Sequence, residues 1–161
     1  MTSILLHVPF VAGLAALAAV DVERRLLPNR IVYPLALWGF AAILLVDRGA
    51  LVQHLIAAAG AFLFLYSAAL ARPEGMGMGD VKLAGVMGLY LGAAVIPALL
   101  VALVTGTLAG LGTMLREGPG ARAKTVPFGV FLALGALVGL LGGAQMIGLY
   151  EDVFLSGGSS T

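Results

Sequence analysis

Two aspartates, Asp21 and Asp80, are the residues of this sequence whose type and surroundings could carry out chemistry. Each lies beside a long apolar stretch, with Asp21 opening the segment DVERRLLPN and Asp80 closing the segment GMGMGD. Ionisable groups beside hydrocarbon are costly to desolvate, so acids held there are functional-site candidates by default. Two carboxylates that share one proton can serve as base and acid together, because neighbouring like charges separate their protonation equilibria. Such a pair could activate water for attack on an amide carbonyl.

Asp21 directly follows the first apolar stretch, near the negative end of the predicted helix dipole, where a carboxylate is disfavoured. This position leads to the hypothesis that Asp21 holds the shared proton and is the acid of the pair. Pro28 then prevents any continuation of the first helix, and Asn29 is expected to cap the second one. The alternative on position alone is a solvated acid paired with Arg24 or Arg25.

Asp80 has the opposite setting. If the fourth helix begins at Val81, Asp80 is its N-cap at the positive end of the dipole, and Lys82 also favours the ionised form. This makes Asp80 the candidate base, while an N-cap without chemistry is the alternative. The GMGMG run before it, with Gly77 and Gly79, predicts unusual backbone dihedrals or the close approach of an extended peptide substrate.

The composition indicates an integral membrane protein. Hydrophobic residues make up 61% of the 161 residues and charged residues 11%, against roughly a quarter charged in soluble domains. A formal net charge of +1 gives no indication of nucleic-acid binding. The chain has no Cys, which excludes disulfides, thiolate nucleophiles and Cys-based zinc sites. His7 and His54 lie singly in apolar stretches, so neither a metal site nor a cofactor is predicted.

Apolar runs predict an all-α bundle of transmembrane helices, since a helix crosses the hydrocarbon with roughly 20 residues. The uncharged run 83–115 is too long for one ordinary span, and Gly92 and Pro97 predict a tight break within it. The many small residues are expected to let the helices approach closely. The apolar runs cover residues 4–20, 31–46, 51–71, 83–115 and 126–149.

The placement of basic residues predicts six spans with both termini on the non-cytoplasmic side. The connectors 21–30, 72–82 and 116–124 contain every Lys and Arg except Arg48. Cytoplasmic connectors are the ones enriched in Lys and Arg, so these three are expected to be cytoplasmic. Residues 1–150 are then expected to form a single membrane domain and residues 151–161, which are rich in Ser and Gly, a disordered tail.

With these motifs the sequence resembles the type IV prepilin peptidases, which share a Gly-x-Gly-Asp motif with archaeal preflagellin peptidases and presenilins. The resemblance spans most of the chain. It rests on Asp21 followed by Pro28-Asn29, on Gly77-Met78-Gly79-Asp80-Val81-Lys82-Leu83, and on Val126-Pro127-Phe128-Gly129 leading into Phe131-Leu132-Ala133-Leu134-Gly135.

The resemblance implies a six-helix aspartyl endopeptidase of the bacterial inner membrane. Such an enzyme cuts the leader from prepilins or pseudopilins at the cytoplasmic face, typically after a glycine just ahead of the pilin's apolar helix. Its partners are these substrates and the lipid bilayer, with the oligomeric state open. The resemblance implies that Asp21 and Asp80 are catalytic. The residues expected to support the motifs are Gly77, Gly79, Lys82, Pro28 and Asn29.

Two departures from the family pattern matter. Many members carry an additional cytoplasmic region with a four-cysteine zinc motif that supports N-methylation, and a chain without Cys resembles a peptidase-only form. The family often has proline after Phe-Gly, where this chain has Val130, and the difference is expected to affect helix geometry.

Two other functions fit a small apolar chain with two acids at the membrane boundary. In a transporter or channel, Asp21 and Asp80 would bind a cation or relay protons, but polar residues deeper inside the spans would then be expected. The predicted helices contain almost none beyond Gln53, His54 and Gln145 and scattered Ser or Thr. The second alternative is a noncatalytic membrane subunit of a pilus or secretion complex.

Overall fold

The protein is described from a computed structural model that covers residues 2–24, 27–71, 76–117 and 127–150. These residues are helical with short connectors, and none of them lies in a strand. The predicted tail 151–161, Gly75 and the basic residues Arg122 and Lys124 lie outside the described part. The helices are α1 (Thr2–Arg24), α2 (Asn29–Val46), α3 (Leu51–Ala71), α4 (Met78–Leu91), α5 (Val95–Glu117) and α6 (Phe128–Tyr150), with a 3₁₀ turn (Gly92–Ala94) between α4 and α5.

The predicted break in the long apolar run is confirmed at Gly92. This residue has φ +56°, a left-handed conformation that side chains rarely adopt, and it ends α4 by donating its N–H to the Gly88 carbonyl. A Cβ at Gly92 would also lie 3.3 Å from the imidazole ring of His54. Pro97 follows in the first turn of α5, where a missing N–H leaves no helical hydrogen bond unmade.

Helix α4 is the centre of the bundle. It packs against α1, α2, α3, α5 and α6, and its residues from Val81 to Tyr90 are buried except Lys82 and Gly85, which are partly buried. In α3, by contrast, the buried residues are Ala61 and Leu65 out of 21, so α3 is a peripheral helix. With 14 residues, α4 is about 21 Å long, shorter than the roughly 30 Å of hydrocarbon.

Tyr90 fixes α4 against the first two helices. Its ring stacks on Phe10 of α1 with centroids 4.3 Å apart, and its hydroxyl donates a 2.8 Å hydrogen bond to the Leu35 carbonyl of α2. Gly39 provides room for this ring, since a Cβ there would lie 2.6 Å from it. A buried tyrosine hydroxyl needs such a partner, so this contact also defines how deep the side chain inserts.

Small residues bring helices close together, as predicted. On α4, a Cβ at Gly88 would lie 2.5 Å from the Ala57 carbonyl oxygen of α3. On α6, Gly135 and Gly139 face Ala98 at the start of α5, and a Cβ at Gly139 would lie 2.8 Å from the Ala98 Cβ. Backbones that approach this closely gain dispersion contacts that bulkier residues would prevent.

Among the residues that the structure describes, four helical stretches are long and apolar enough to cross a membrane: Leu6–Arg24, Asn29–Val46, Leu51–Ala71 and the joined α4–α5 stretch Met78–Arg116. The apolar part of α6, Phe128–Gly143, is a shorter fifth candidate. Large apolar side chains also cover the outside of the bundle, with Leu45, Leu115 and Leu141 each about four-fifths exposed. An all-helical fold with an apolar exterior confirms the predicted membrane class. The number of six crossings and the orientation of the termini stay predictions.

Candidate active site

Asp21 lies in the last turns of α1 and is buried, with 4% of its surface exposed. Helix α1 continues through this residue to Arg24, so Asp21 is part of the helix itself. The Oδ2 atom is buried and has no hydrogen-bond partner among the described residues. A buried polar oxygen without a partner is unusual and calls for an explanation, such as a water or a substrate group that binds there.

Asp80 is also buried, with 8% of its surface exposed, and lies in the first turn of α4. The prediction that it caps a helix beginning at Val81 is wrong. The helix begins at Met78 with Gly77 as N-cap, and Asp80 is the third helical residue. Its Oδ2 accepts a 3.3 Å hydrogen bond from the Gly77 N–H, as an acid at this position of a capping box does, and this contact explains the earlier start.

The fold brings the two carboxylates together. The end of α1 that carries Asp21 and the beginning of α4 that carries Asp80 lie at the same end of the bundle, and the two acids interact electrostatically. Both are surrounded largely by apolar residues, where a charge is screened less than in water. A pair of buried acids in such surroundings favours a state in which one proton is shared.

The beginning of α6 lies against Asp21, a contact that sequence reasoning did not include. A Cβ at Gly129 would lie 2.7 Å from Asp21 Oδ2 and 3.1 Å from its Cγ. The backbone N–H groups of Gly129 and Val130 also interact with this carboxyl group. The indication in the sequence was the segment Pro127-Phe128-Gly129, which was used for the family resemblance without assigning it a role.

Leu27 is a second residue that sequence reasoning missed. It lies between two glycines: a Cβ at Gly79 would be 2.7 Å from the Leu27 Cβ, and one at Gly129 would be 3.3 Å from the Leu27 Cδ2. Leu27 therefore joins the connector after α1 to the first turns of α4 and α6. No local pattern distinguishes this leucine from its many neighbours in the sequence.

The unusual dihedrals predicted for the glycines before Asp80 are absent at Gly77 and Gly79, whereas the approach of a peptide substrate stays a prediction. Gly77 has φ −75°, which any residue adopts, and Gly92 is the positive-φ glycine of the described residues. Unusual dihedrals are therefore not the reason for Gly77 or Gly79. Gly79 is required by the close approach of Leu27, whereas a Cβ at Gly77 would make an ordinary 3.4 Å contact with Asp80 Oδ2.

The Lys82 side chain contacts the beginning of α2. Its ammonium donates to the Asn29 side-chain oxygen at 3.0 Å and to the Tyr33 hydroxyl at 3.1 Å, and it lies 5.2 Å from the centre of the Tyr33 ring. These contacts fasten α4 to the beginning of α2, and the expectation that Lys82 acts on Asp80 stays a prediction. The donors of an ammonium prefer nearby oxygens and an aromatic face, and α2 offers both.

Asn29 is not the cap of α2, contrary to the prediction. It is the first residue of the helix, and the N-cap position belongs to Pro28, which makes no side-chain cap. The Pro28 carbonyl accepts hydrogen bonds from the N–H groups of Ile31 and Val32 at 3.0 and 3.3 Å. The Asn29 side chain is instead used by Lys82, a residue of another helix, which local sequence rules cannot foresee.

No group of three or more His, Asp or Glu side chains within the described residues could hold a metal ion. The ring of His54 donates from Nδ1 to the Leu89 carbonyl, 2.7 Å away at the far end of α4. An apolar cavity of about 500 Å³ lies between α3 and α5 and is lined by side chains such as Ile56, Phe64 and Leu99. Neither aspartate lines it, and nothing in it suggests acid–base chemistry.

The fold and the paired acids define a helical membrane protein with a candidate acid–base site. The profile of the type IV leader peptidase family matches residues 8–111, a stretch that contains both Asp21 and Asp80. The chain therefore belongs to the type IV leader peptidase family, which confirms the resemblance inferred from the motifs. Its apolar helices and its family place it among bacterial membrane proteins.

Individual relatives are similar over most of this chain. The prepilin leader peptidase/N-methyltransferase of Aeromonas hydrophila is 33% identical over 148 residues, which cover 88% of this chain and 51% of the relative. The protein of the same name from Bacillus subtilis is 32% identical over 149 residues, covering 92% of this chain and 60% of the relative. The chain thus spans between half and three-fifths of these relatives' length. No solved structure matches it.

The packing at the site predicts that the two glycines of the Gly-x-Gly-Asp motif differ in their tolerance of a methyl group. Gly79→Ala places its Cβ against Leu27, and overpacking of this kind lowers the free energy of unfolding by about 1–3 kcal/mol. Gly77→Ala is expected to stay within about 0.5 kcal/mol of the parent. Thermal unfolding of both variants in detergent micelles measures the difference, and equal stabilities would contradict the assigned role of Gly79.

The Lys82 contacts predict an energetic link between α4 and α2. In a double-mutant cycle of Lys82→Met with Asn29→Ala, we expect a coupling free energy of about 1 kcal/mol, because the two side chains share a charge-assisted hydrogen bond. Asp47→Ala is the matched control partner, since the Asp47 carboxylate bonds only locally to the Ala50 N–H. If the coupling free energy in the Asn29 cycle is as small as in the Asp47 cycle, the link is refuted.

Proposed function

We propose that this protein is a membrane aspartyl endopeptidase that removes the N-terminal leader of prepilin-like proteins, with Asp21 and Asp80 as its catalytic pair. The observation that carries the proposal is the convergence of two buried carboxylates from α1 and α4 in a chain of the type IV leader peptidase family. The relatives named above carry the names of two activities, prepilin leader peptidase and N-methyltransferase. The two carboxylates support the peptidase activity.

The chemistry follows from what two carboxylates can do with one water. One carboxylate accepts a proton from water while the water oxygen attacks the scissile carbonyl carbon. The protonated partner donates its proton to the carbonyl oxygen. The tetrahedral gem-diol then collapses: the carboxyl group that took the water proton gives it to the amide nitrogen, the other carboxylate takes a proton from a gem-diol hydroxyl, and the C–N bond breaks. Protons and charge balance within the pair, so no further reagent is needed.

The roles of acid and base are not assigned to single residues of the pair. Backbone N–H groups act on both acids, those of Gly129 and Val130 on Asp21 and that of Gly77 on Asp80. Donors of this kind stabilise an ionised carboxylate in either position, so they do not single out a base. The unpartnered Asp21 Oδ2 is the atom best placed to accept a bond from water or substrate. A shared proton belongs to both residues, and the assignment of Asp80 as base stays a hypothesis.

The proposed site lies at the cytoplasmic face of the inner membrane in a chain with six crossings and both termini outside. The C-terminal ends of α1, α3 and α5 and the N-terminal ends of α2, α4 and α6 would then share one side, together with all basic residues except Arg48. The proximity of Gly129 to Asp21 supports this arrangement, because it brings the beginning of α6 to the end of α1. The exposed apolar exterior suits lipid and the apolar helix of a prepilin or pseudopilin.

Replacement of either aspartate is expected to abolish leader removal. Asp21→Asn and Asp80→Asn keep the shape of each side chain but remove a proton-transfer group, so we expect a rate loss of about 10²-fold or more. Asp47→Asn, an exposed acid at the opposite end of α2, is the matched control and should cleave normally. The mass of a candidate prepilin after incubation with each purified variant gives the readout.

Each aspartate variant must also insert normally, as judged by its amount in membranes and its elution in size-exclusion chromatography. A scaffold protein would tolerate both changes, and a cation transporter would show ion-dependent transport that both changes remove. Cleavage by the Asp21→Asn, Asp80→Asn double variant would end the proposal.

The orientation can be tested with single cysteines, because the chain has no Cys of its own. Glu23→Cys in the exposed end of α1 should react with a membrane-impermeant maleimide only after the membrane is opened. Arg48→Cys in the exposed α2–α3 connector should react in intact spheroplasts. The reverse pattern would place the proposed site outside the cell and exclude the topology.

A further inference from the structure

The Gly129 backbone lies so close to the Asp21 carboxyl group that position 129 has no room for a side chain. A methyl group at Gly129 would come within 2.7 Å of Asp21 Oδ2, a separation that real Cβ atoms essentially never show. The backbone of the first turn of α6 therefore touches the carboxyl group directly. Asp21 is buried, with 4% of its surface exposed, and its Oδ2 points into this contact without a hydrogen-bond partner.

The first turn of α6 also offers donors at this place. The first four N–H groups of a helix have no partner within the helix, and those of Gly129 and Val130 belong to this set in α6. Both act on the Asp21 carboxyl group. The unpartnered oxygen of Asp21 and the beginning of α6 at the same point are two separate observations. One arrangement explains both, in which the α6 turn lies against the carboxyl group.

We propose that the first turn of α6 is a third component of the active site and that Gly129 is a positioning residue for Asp21. The absence of a side chain at Gly129 allows the α6 backbone to lie directly against the carboxyl group and so to define its orientation. The inference rests on the proposed peptidase function for its effect on rate, but the contact itself is independent of any activity.

Leu27 restricts the same turn from the other side. Its Cδ2 would lie 3.3 Å from a Cβ at Gly129, and its Cβ lies against Gly79 of α4. The α6 turn is thus held between the Asp21 carboxyl group and Leu27. A methyl group at position 129 can displace either neighbour, and an experiment must separate these two effects.

The kinetic test compares Gly129→Ala with Gly148→Ala, the same change on the same helix at a position where a Cβ meets nothing within 4 Å. A misplaced catalytic group loses rate without losing substrate binding. We therefore expect kcat of Gly129→Ala for a prepilin to fall about a hundredfold, with KM within about twofold of the parent. Gly148→Ala should keep the parent values. The double variant Leu27→Ala, Gly129→Ala should stay impaired, because only the Asp21 contact is then left.

The second test measures the contact without any substrate. Gly129→Ala should lower the melting temperature in the parent and in Asp21→Asn, whose side chain has the same shape, but much less in Asp21→Ala, which removes the colliding group. If Gly129→Ala folds only in the Asp21→Ala background, the contact is equally supported. If it destabilises all three backgrounds alike, or unfolds in all three, the proposal is overturned.

An unchanged kcat in Gly129→Ala, or its full rescue by Leu27→Ala, would likewise overturn the positioning role. Failure of the parent enzyme to cleave any prepilin would refute the proposed function instead, and the melting-temperature comparison would still decide whether Gly129 defines the position of Asp21. The two failures are therefore distinguishable.

Discussion

The structure depends on holding two acids side by side inside an apolar bundle. Removing a carboxylate from water costs several kcal/mol unless hydrogen bonds or a proton compensate for the lost hydration. Asp80 receives one such bond from the Gly77 N–H, and Asp21 lies against the first turn of α6 with one oxygen still unpartnered. The remaining cost is offset by the apolar core around α4, whose burial keeps both carboxyl groups where they are.

Glycine is what allows three segments to meet at this pair. Gly79 admits Leu27, Gly129 admits the Asp21 carboxyl group, and Gly88 lets α4 approach the backbone of α3. In each of these places the missing side chain matters because of space. Among the described glycines, conformational freedom matters only at Gly92, where the chain turns from α4 to α5. Close approach is the usual role of small residues in membrane bundles, and here the same device shapes the site.

A site of this kind links fold to function through the direction of the helices. The end of α1 and the beginnings of α4 and α6 meet at one end of the bundle, and the α2 beginning is fastened there by Lys82 through Asn29 and Tyr33. Chemistry at this end of the bundle would suit the proposed substrate, whose scissile bond lies just outside an apolar helix. Membership in the type IV leader peptidase family also supports the proposed peptidase function.

Much of this protein could be predicted from its sequence. Hydropathy alone establishes the helical membrane class, because a span needs a long apolar run whatever its partners are. The break at Gly92 also follows from local patterns, and so does the choice of Asp21 and Asp80 as site candidates, since acids next to apolar runs are rare and costly. The capping roles given to Asp80 and Asn29 were wrong: Asp80 bonds back to the Gly77 N–H in its own first turn, and the Asn29 side chain binds Lys82 of another helix.

What only the tertiary structure decided is which distant segments touch. Leu27 between Gly79 and Gly129, Lys82 on α2, and the α6 turn against Asp21 join residues that lie far apart in the chain. Such contacts depend on how six helices pack, and a pattern of apolar and small residues allows many packings of similar energy. The sequence therefore determined the chemistry that is available, whereas the folded bundle determined which groups surround it.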